Sequence, residues 1–116
     1  MTENKRTVNA YMDGFRRSDH EQILSCLTDD VEWEIPGAFH LRGKEAFDKE
    51  VGNEAFVGKP DITVTRLTEE HDVVVAEGSV RTQRKGGEPL SLRFCDVFVM
   101  RAGKIKQLIS YLMEVK

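Results

Sequence analysis

The first part of the chain has the hydrophobic spacing of two amphipathic helices. Apolar residues recur at three- and four-residue intervals, which places them on one face of a first helix. These residues are Val8, Tyr11, Met12 and Phe15. The segment from Ser18 to Glu21 has the spacing of a capping box, so a second, short helix is expected with Ser18 as its N-cap. Its apolar residues are Ile23, Leu24 and Leu27, and residues 28–30 end it.

The next segment alternates between apolar and acidic residues, which is typical of a short strand over residues 31–35. Its two faces carry Val31, Trp33 and Ile35 on one side and Glu32 and Glu34 on the other. Pro36 and Gly37 end this strand, and a loop through His40 and Arg42 is expected to follow.

A third helix is predicted to begin at Gly43, because apolar residues then recur every four positions. These residues are Phe47, Val51 and Ala55. Gly52 weakens the helix, and residues 58–60, with the sequence Gly-Lys-Pro, are expected to end it.

The second half of the chain has the pattern of long antiparallel strands joined by short turns. Strands are predicted over residues 62–67, 73–82, 90–100 and 105–115. Helices followed by a meander of strands define an α+β domain. We therefore expect a single domain over residues 1–116, in which the helices cover one face of a curved sheet.

Composition narrows the classes of function. The 116 residues include 17 basic and 20 acidic side chains, for a net charge of −3. Positive charge is not clustered, which argues against a nucleic-acid partner, and no apolar run approaches the roughly 18 residues of a membrane span. The charged N-terminus does not resemble a signal peptide, and Cys26 and Cys95 form no CxxC motif. A cytoplasmic protein with reduced thiols, no metal and no cofactor is expected.

One carboxylate lies in an otherwise apolar row of the predicted strand 90–100. That row is Leu92, Phe94, Asp96, Phe98 and Met100. An ionised carboxylate is costly in apolar surroundings, so Asp96 must be paired, protonated or open to a water-filled pocket. The pattern leaves two alternatives open, a structural carboxylate with a bonded partner and a functional group.

Tyr11 is the second candidate, because it lies on the buried stripe of the first helix. A buried phenol usually needs a hydrogen-bond partner. The alternative for this side chain is an ordinary core residue.

Three segments of the chain resemble the nuclear transport factor 2-like superfamily. They are AYMDGFRRSDHEQILSCLTDDVEWEIPG in residues 10–37, LRGKEAF in residues 41–47 and RFCDVFVMRAGKI in residues 93–105. The chain is most similar to the SnoaL-like polyketide cyclase and ketosteroid isomerase branch. The resemblance implies a cone-shaped, cystatin-like α+β barrel, in which a curved mixed sheet wraps around three helices and encloses a pocket. Many members of the superfamily are homodimers.

The resemblance assigns roles to three residues of this sequence. In ketosteroid isomerases a tyrosine and a protonated aspartic acid bind the developing oxyanion, and a separate aspartate moves the proton. Tyr11 and Asp96 align with the two oxyanion-binding positions. Ile35, directly before Pro36, aligns with the base, and an isoleucine side chain cannot transfer a proton. Steroid isomerase activity in the strict sense is therefore not expected.

Several functions stay open. In SnoaL-like cyclases a single aspartate is thought to act as both acid and base, a role that Asp96 would take here. An Asp-Arg-Asp site like that of limonene epoxide hydrolase is another option. A non-catalytic module that binds a small apolar ligand or forms dimers is the alternative to an enzyme. A fold this versatile does not determine the reaction or the substrate.

The predicted pocket is apolar, as sites for small hydrophobic molecules usually are. Its walls are expected to be Trp33, Ile35, Phe47, Val51, Leu92, Phe94, Phe98, Leu108 and Leu112. Candidate polar groups are His40 and Arg42 in the loop and Glu77 and Arg93 on strands. Apolar residues on the outer face predict a homodimer that packs through the sheet. The residues expected at this contact are Cys95, Val97, Val99, Ile109 and Tyr111.

Overall fold

The computed structural model describes residues 1–53 and 56–115. Over these residues the chain forms three helices, α1 (Glu3–Arg17), α2 (His20–Ser25) and α3 (Lys44–Val51). The strands are β1 (Leu27–Ile35), β2 (Phe39–Arg42), β3 (Phe56–Glu70), β4 (Val73–Arg84), β5 (Pro89–Arg101) and β6 (Lys104–Glu114). No helix within these ranges is long and apolar enough to cross a membrane.

The six strands of the described chain join one sheet in the order β2-β1-β6-β5-β4-β3. Neighbouring strands are antiparallel, except that β1 and β6 run parallel. The sheet is curved and its edge strands β2 and β3 do not pair with each other, so it forms an open cone rather than a closed barrel. The helix α1 packs against β3, and α3 packs against β1. The predicted α+β cone, with a mixed sheet and three helices, is confirmed.

The first helix buries the apolar stripe that the spacing predicted. Val8, Tyr11 and Met12 all lie in the core. Gly14 lies where α2 crosses α1, and a Cβ atom at this position would approach the Cγ1 atom of Ile23 to 2.9 Å. The missing side chain therefore lets the two helices pack closely.

The predicted capping box is wrong at the boundary between α1 and α2. Ser18 takes a left-handed conformation (φ 54°) and ends α1. Asp19 is the N-cap of α2, where its carboxylate accepts a hydrogen bond from the backbone N–H of Gln22 (3.0 Å). The cap lies one position later than predicted, because the left-handed Ser18 cannot provide the extended backbone of an N-cap.

The first strand begins earlier than the alternation predicted. Leu27 was predicted within α2, but that helix ends at Ser25 and Leu27 is the first residue of β1. It pairs with Ile105 of β6, and the register then shifts. Two exposed acidic residues, Asp29 and Asp30, lie at this irregularity and hide the strand pattern.

Residues 39–42 form an edge strand where the sequence predicted a loop. In this strand, β2, His40 lies opposite Glu34 and Arg42 lies opposite Glu32 of β1. The strand was missed because four residues are too few to show a clear alternation.

The third helix begins after Gly43 (φ 87°), as predicted, and ends at Val51. Its predicted end at residues 58–60 is wrong, since these residues belong to β3 at a point where the pairing with β4 is irregular. Ala55, predicted to continue the apolar stripe of this helix, lies outside the described residues.

The long hairpins of the second half are confirmed. The strands β3 and β5 extend beyond their predicted bounds at both ends, β4 extends at its C-terminal end, and β6 is shifted by one residue toward the N-terminus. The strands β3 and β4 are joined by His71 and Asp72, which both have positive φ (50° and 62°). Ala102 and Gly103 join β5 and β6 in the same way (φ 51° and 77°). Turns of this geometry match the natural twist of the flanking strands.

The core is centred near these two turns. The largest fully buried side chains of the described residues are Val8, Ile23, Leu27, Val31, Phe47, Val74, Phe98, Ile105 and Leu108. On the sheet, Phe98 of β5 lies between its direct partners Val74 of β4 and Leu108 of β6. We call this region, on the side of the β3–β4 and β5–β6 turns, the closed end of the cone.

Candidate functional site

A cavity of about 280 Å³ occupies the opposite side of the cone, toward the β4–β5 turn. We call this region the open end. Its walls include six residues that the sequence predicted: Trp33, Ile35, Val51, Leu92, Phe94 and Leu112. Tyr11 of α1 and Asp96 of β5 line the same cavity. The structure therefore brings both candidate polar residues to one apolar space.

Three predicted wall residues, Phe47, Phe98 and Leu108, lie in the closed end and do not line the cavity. Phe47 stacks on Trp33 with ring centroids 4.4 Å apart, and Phe98 packs edge-on against Tyr11 at 5.4 Å. Strand alternation gives the correct face of the sheet for Phe98 and Leu108. It does not give their depth, because helix packing decides which part of the cone is filled.

Asp96 is a buried carboxyl group, 9% exposed, in the middle of β5. Loss of hydration raises its pKa from the ordinary 3.8 to about 7, against the opposing effect of a hydrogen bond from Ser110. Within the described residues no cation contributes to this pKa, and the Oδ1 atom has no hydrogen-bond partner. Near neutral pH, Asp96 is thus able both to donate and to accept a proton.

Ser110 connects Asp96 to Trp33. The serine lies directly opposite Asp96 on β6, and its Oγ atom accepts a hydrogen bond from the Nε1–H group of Trp33 (3.1 Å). The sequence analysis missed Ser110, although it lies between two predicted wall residues, Leu108 and Leu112, at the same strand parity. Strand alternation around Asp96 was a sufficient signal to find it.

Tyr11 lies beside this group with its ring held by aromatic neighbours. Its ring centroid is 5.3 Å from that of Phe15 and 6.1 Å from that of Phe47. Burial, and then the charge of Asp96, raise the pKa of Tyr11 well above its ordinary value of 10.0. The phenol therefore stays neutral and acts as a hydrogen-bond donor.

His40 and Arg42, named from the sequence as candidate polar groups, do not line the cavity. The His40 Nε2 atom lies 3.1 Å from Glu32 Oε1, and the Arg42 Nε atom lies 3.3 Å from the same oxygen. Pairing of β2 with β1 turns both side chains to the face of Glu32 and Glu34, which is opposite to that of Trp33.

Glu77 and Arg93 also lie away from the cavity. Glu77 pairs with Arg66 of β3, and this hydrogen bond holds the pKa of Glu77 below its ordinary value. Arg93 is exposed on β5. Both residues occupy the outer face of the sheet, because they alternate with the inward Gly78 and Phe94.

The mouth of the cavity carries polar groups that sequence reasoning did not identify. They are Ser18, Glu50, Asn53 and Thr82. The Nδ2 atom of Asn53 donates a hydrogen bond to Glu50 Oε2 (2.9 Å). Among residues 1–53 and 56–115, no three His, Cys, Asp or Glu side chains come together as a metal site.

The fold and the cavity together define a class of protein, a small α+β cone whose apolar pocket contains a buried carboxyl group. Residues 8–108 match the SnoaL-like domain family, and the chain belongs to this family. No curated protein is similar enough in sequence to count as a relative.

Solved structures share the nuclear transport factor 2-like fold. A protein of unknown function from Burkholderia pseudomallei is 21% identical with a TM-score of 0.86, over 97% of this chain and 92% of its own. TerC, crystallised with polyporic acid, is 24% identical with a TM-score of 0.85, over 94% of this chain and 90% of its own. An LEH-like epoxide hydrolase from M. tuberculosis is 19% identical with a TM-score of 0.84, over 96% of this chain and 83% of its own. A structure with a ketosteroid isomerase-like fold also matches.

Proposed function

We propose that the cavity binds a small, mostly apolar molecule through an oxygen atom that accepts hydrogen bonds from Asp96 and Tyr11. The observation that supports this is a buried carboxyl group whose pKa no cation of the described residues affects, in the wall of a cavity that it shares with a neutral phenol. A protonated carboxyl group and a phenol are both donors. In a water-poor site, two such donors stabilise a carbonyl oxygen or a phenolate.

The size of the cavity limits the ligand. Its volume of about 280 Å³ is small for a ligand pocket, since such pockets usually measure about 300–1,000 Å³. A carbonyl or phenolic compound with one or two rings suits this volume better than a four-ring polycyclic compound. A longer ligand would extend through the open end toward solvent.

Asp96 is the candidate acid/base group if the protein is an enzyme. Its pKa of about 7 suits proton transfer near neutral pH. An isomerase, cyclase or hydrolase step that uses one carboxyl group is compatible with this site, and an LEH-like epoxide hydrolase shares the fold. Ile35, which the sequence resemblance aligns with the base of steroid isomerases, lines the cavity. We therefore expect negligible isomerisation of 3-oxo-Δ5-steroids.

The test compares pairs of ligands with the same ring system, of which only one member carries an oxygen atom. Isothermal titration calorimetry at pH 6 would measure binding of 1-tetralone against tetralin, and of 2-naphthol against naphthalene. We expect the oxygenated member of each pair to bind about 10-fold tighter, because it gains hydrogen bonds from Asp96 and Tyr11. Equal affinity within both pairs would contradict the proposal.

Three variants localise the effect. Asp96→Leu should lower the preference for the oxygenated ligands to about 3-fold, the part that Tyr11 provides, whereas Asp96→Asn should keep much of it, because an amide still donates a hydrogen bond. The matched control is Glu45→Gln, which makes the same change from carboxylate to amide on an exposed side chain of α3 outside the cavity and should leave binding unaltered. Loss of binding in the control as well would show that the site had been misassigned.

A non-catalytic binding module is the second candidate function, and the presence of Ile35 at the base position favours it. Such a module would bind the oxygenated probes and leave them chemically unchanged. Prolonged incubation with β,γ-unsaturated cyclic ketones and epoxides, followed by mass spectrometry and ultraviolet spectroscopy, separates the two candidates. Turnover that is lost in Asp96→Asn would identify an enzyme.

We also propose that two copies of the chain pack through the outer face of the sheet. The half-buried residues that form an apolar patch there are Val73, Val75, Cys95, Val97, Val99 and Ile109. Tyr111, which is 51% exposed, lies directly opposite Cys95. Glu34 and Arg93 flank the patch with opposite charges, which a two-fold axis could pair across copies.

Sedimentation velocity tests this contact. A dimer is expected at tens of micromolar, and Val97→Arg should convert it to a monomer because a charge would be buried at the centre of the patch. A wild-type monomer with no concentration dependence would contradict the proposal.

A further inference from the structure

We infer that Ser110, oriented by Trp33, is a positioning residue that fixes the Asp96 carboxyl group in one orientation toward the ligand. This inference rests on the proposed function of the cavity, because the orientation matters only if Asp96 acts on a bound molecule. Neither Ser110 nor the indole N–H group of Trp33 is otherwise used by the proposed binding of ligand.

The direction of the hydrogen bonds follows from the chemistry of the three groups. An indole N–H group can only donate, so the Oγ atom of Ser110 is the acceptor in the 3.1 Å contact with Trp33. The single hydroxyl proton of Ser110 is then free to point elsewhere. Asp96 lies directly opposite on the neighbouring strand and lines the same cavity, so the hydroxyl proton is directed at its carboxyl group, in keeping with the lowering effect of Ser110 on the pKa of Asp96.

Packing holds the two supporting residues in place. Ser110 is 4% exposed and Trp33 is 8% exposed. The indole ring is stacked on Phe47 and makes an edge contact with Phe39 at 5.2 Å. Since the ring cannot turn without disrupting this packing, its N–H group points steadily at Ser110.

The consequence is that the two oxygens of Asp96 are not equivalent. Oδ1 has no partner among the described residues, so the hydroxyl group of Ser110 is directed at the other oxygen. A carboxyl group in an apolar wall without such an anchor would exchange its two oxygens by rotation. With the anchor, the proton and the ligand contact are assigned to defined oxygens.

The titratable surroundings of Asp96 are few in the described part of the chain. Tyr11 of α1 faces it, Glu50 of α3 lines the same cavity, and Cys95 lies next to it on the outer face of β5. Its neighbours on β4 and β6 are Ala76 and Ser110, which do not titrate. Within the described residues the hydrogen-bonded path from Asp96 to Trp33 runs through Ser110, and removal of the Ser110 hydroxyl group separates this path from a direct effect of the charge across the cavity that both side chains line.

The experiment uses the fact that Trp33 is the only tryptophan of the chain. Its indole N–H group gives one resonance in a proton–nitrogen correlation spectrum of the ligand-free protein, recorded from pH 5 to pH 9 together with carbon spectra of the Asp96 carboxyl group. We expect both signals to move with the same midpoint. In Asp96→Asn the indole resonance should not titrate, which excludes the three histidines as the cause.

Ser110→Ala is the decisive variant. The carboxyl midpoint of Asp96 should rise by about one pH unit or more, because a donor that favours the ionised form is lost, and the indole resonance should no longer follow it. Ser110→Thr keeps the hydroxyl group and should restore both behaviours. Ser79→Ala, on the outer face of β4, is the matched control and should change neither signal.

Two results would overturn the inference. One is an indole resonance in the wild-type protein that stays constant while Asp96 titrates. The other is an unchanged Asp96 midpoint in Ser110→Ala, or in Ser110→Cys if the alanine variant does not fold. If the Trp33 and Asp96 signals titrate together but the protein binds no oxygenated ligand, only the proposed function is refuted. If the protein binds the ligands but the two signals titrate independently, only the role of Ser110 is refuted.

Discussion

The closed and open ends of the cone are built from the same strands, yet one is filled and the other is hollow. The inward pair Phe98 and Leu108 of β5 and β6 is fully buried in the closed end. Four residues away on each strand, the inward pair Phe94 and Leu112 lines the cavity, where Leu112 is 43% exposed. Strand parity is identical in the two pairs. The difference shows that alternation determines the face of a side chain, whereas the position of the helices determines its depth.

Asp96 lies at the boundary between these two regions, one inward position from Phe98 and one from Phe94. It is close enough to the filled core to lose its hydration and close enough to the cavity to meet a ligand. A carboxylate deeper in the closed end would have no access to a molecule. One nearer the mouth would remain hydrated and would keep an ordinary pKa.

The largest expected difference between the two ends is in core stability. Leu108→Ala removes packed side-chain atoms from the closed end and should lower the free energy of unfolding by about 2–5 kcal/mol. Leu112→Ala, at the same parity on the same strand, should cost less than about 1 kcal/mol because its side chain is already partly exposed. Urea unfolding of both variants measures the difference. Equal losses would contradict the division into a filled and a hollow end.

Asp96→Asn should stabilise the protein at high pH. The folded-state pKa of about 7 lies above the ordinary 3.8. Between pH 3.8 and pH 7, Asp96 is therefore protonated in the folded protein and ionised in the unfolded protein. The stability provided by the neutral form is complete below about pH 4 and is lost as the pH rises toward 7, at a total cost of up to about 4 kcal/mol.

An asparagine at this position has no charge to bury. At pH 8 the variant should therefore be more stable than the wild-type protein by about 2–4 kcal/mol, and near pH 4 the difference should vanish. Urea unfolding at both values measures this. If the wild-type protein instead became more stable than Asp96→Asn as the pH rose, Asp96 would be a paired, ionised carboxylate.

The smallest expected effect is that of Tyr11→Phe. Phenylalanine preserves the contacts of the ring with Phe15, Phe47 and Phe98, so stability should change by less than about 1 kcal/mol. Affinity for 1-tetralone should fall about 3-fold, because one of the two hydrogen bonds to the ligand oxygen is lost. Affinity for tetralin should not change. A loss of the same size for both ligands would assign Tyr11 to packing rather than to oxygen recognition.

Most of the fold could be predicted because its signals are local. The stripe of α1, the alternation of residues 31–35 and the long hairpins all follow from spacing along the chain. The predicted ends of helices and strands are wrong where pairing with a distant strand overrides the local sequence pattern. Leu27 begins β1 because it pairs with Ile105, which lies far away in sequence, and β2 exists because β1 provides an edge for it.

The residues of the candidate site also fall into two groups, those that a local pattern predicts and those that depend on tertiary contacts. The inward orientation of Asp96 could be predicted from parity, and the same rule would have identified Ser110. The outward orientation of His40 and Arg42 could not be predicted without knowing that they pair with β1. The burial of Phe47 depends on its contact with Trp33, which joins a helix to a strand and leaves no trace in either local pattern.

The protonation of Asp96 tests the central claim most directly. Selective labelling of aspartate carboxyl carbons, with Asp96→Asn for assignment, would follow the titration of this group in the ligand-free protein by NMR. A midpoint near 7 is expected, with the carboxyl group largely neutral at pH 6 and ready to donate to a ligand oxygen. A midpoint at or below the ordinary value of about 3.9 would mean that Asp96 is ionised and paired, and it would contradict the account.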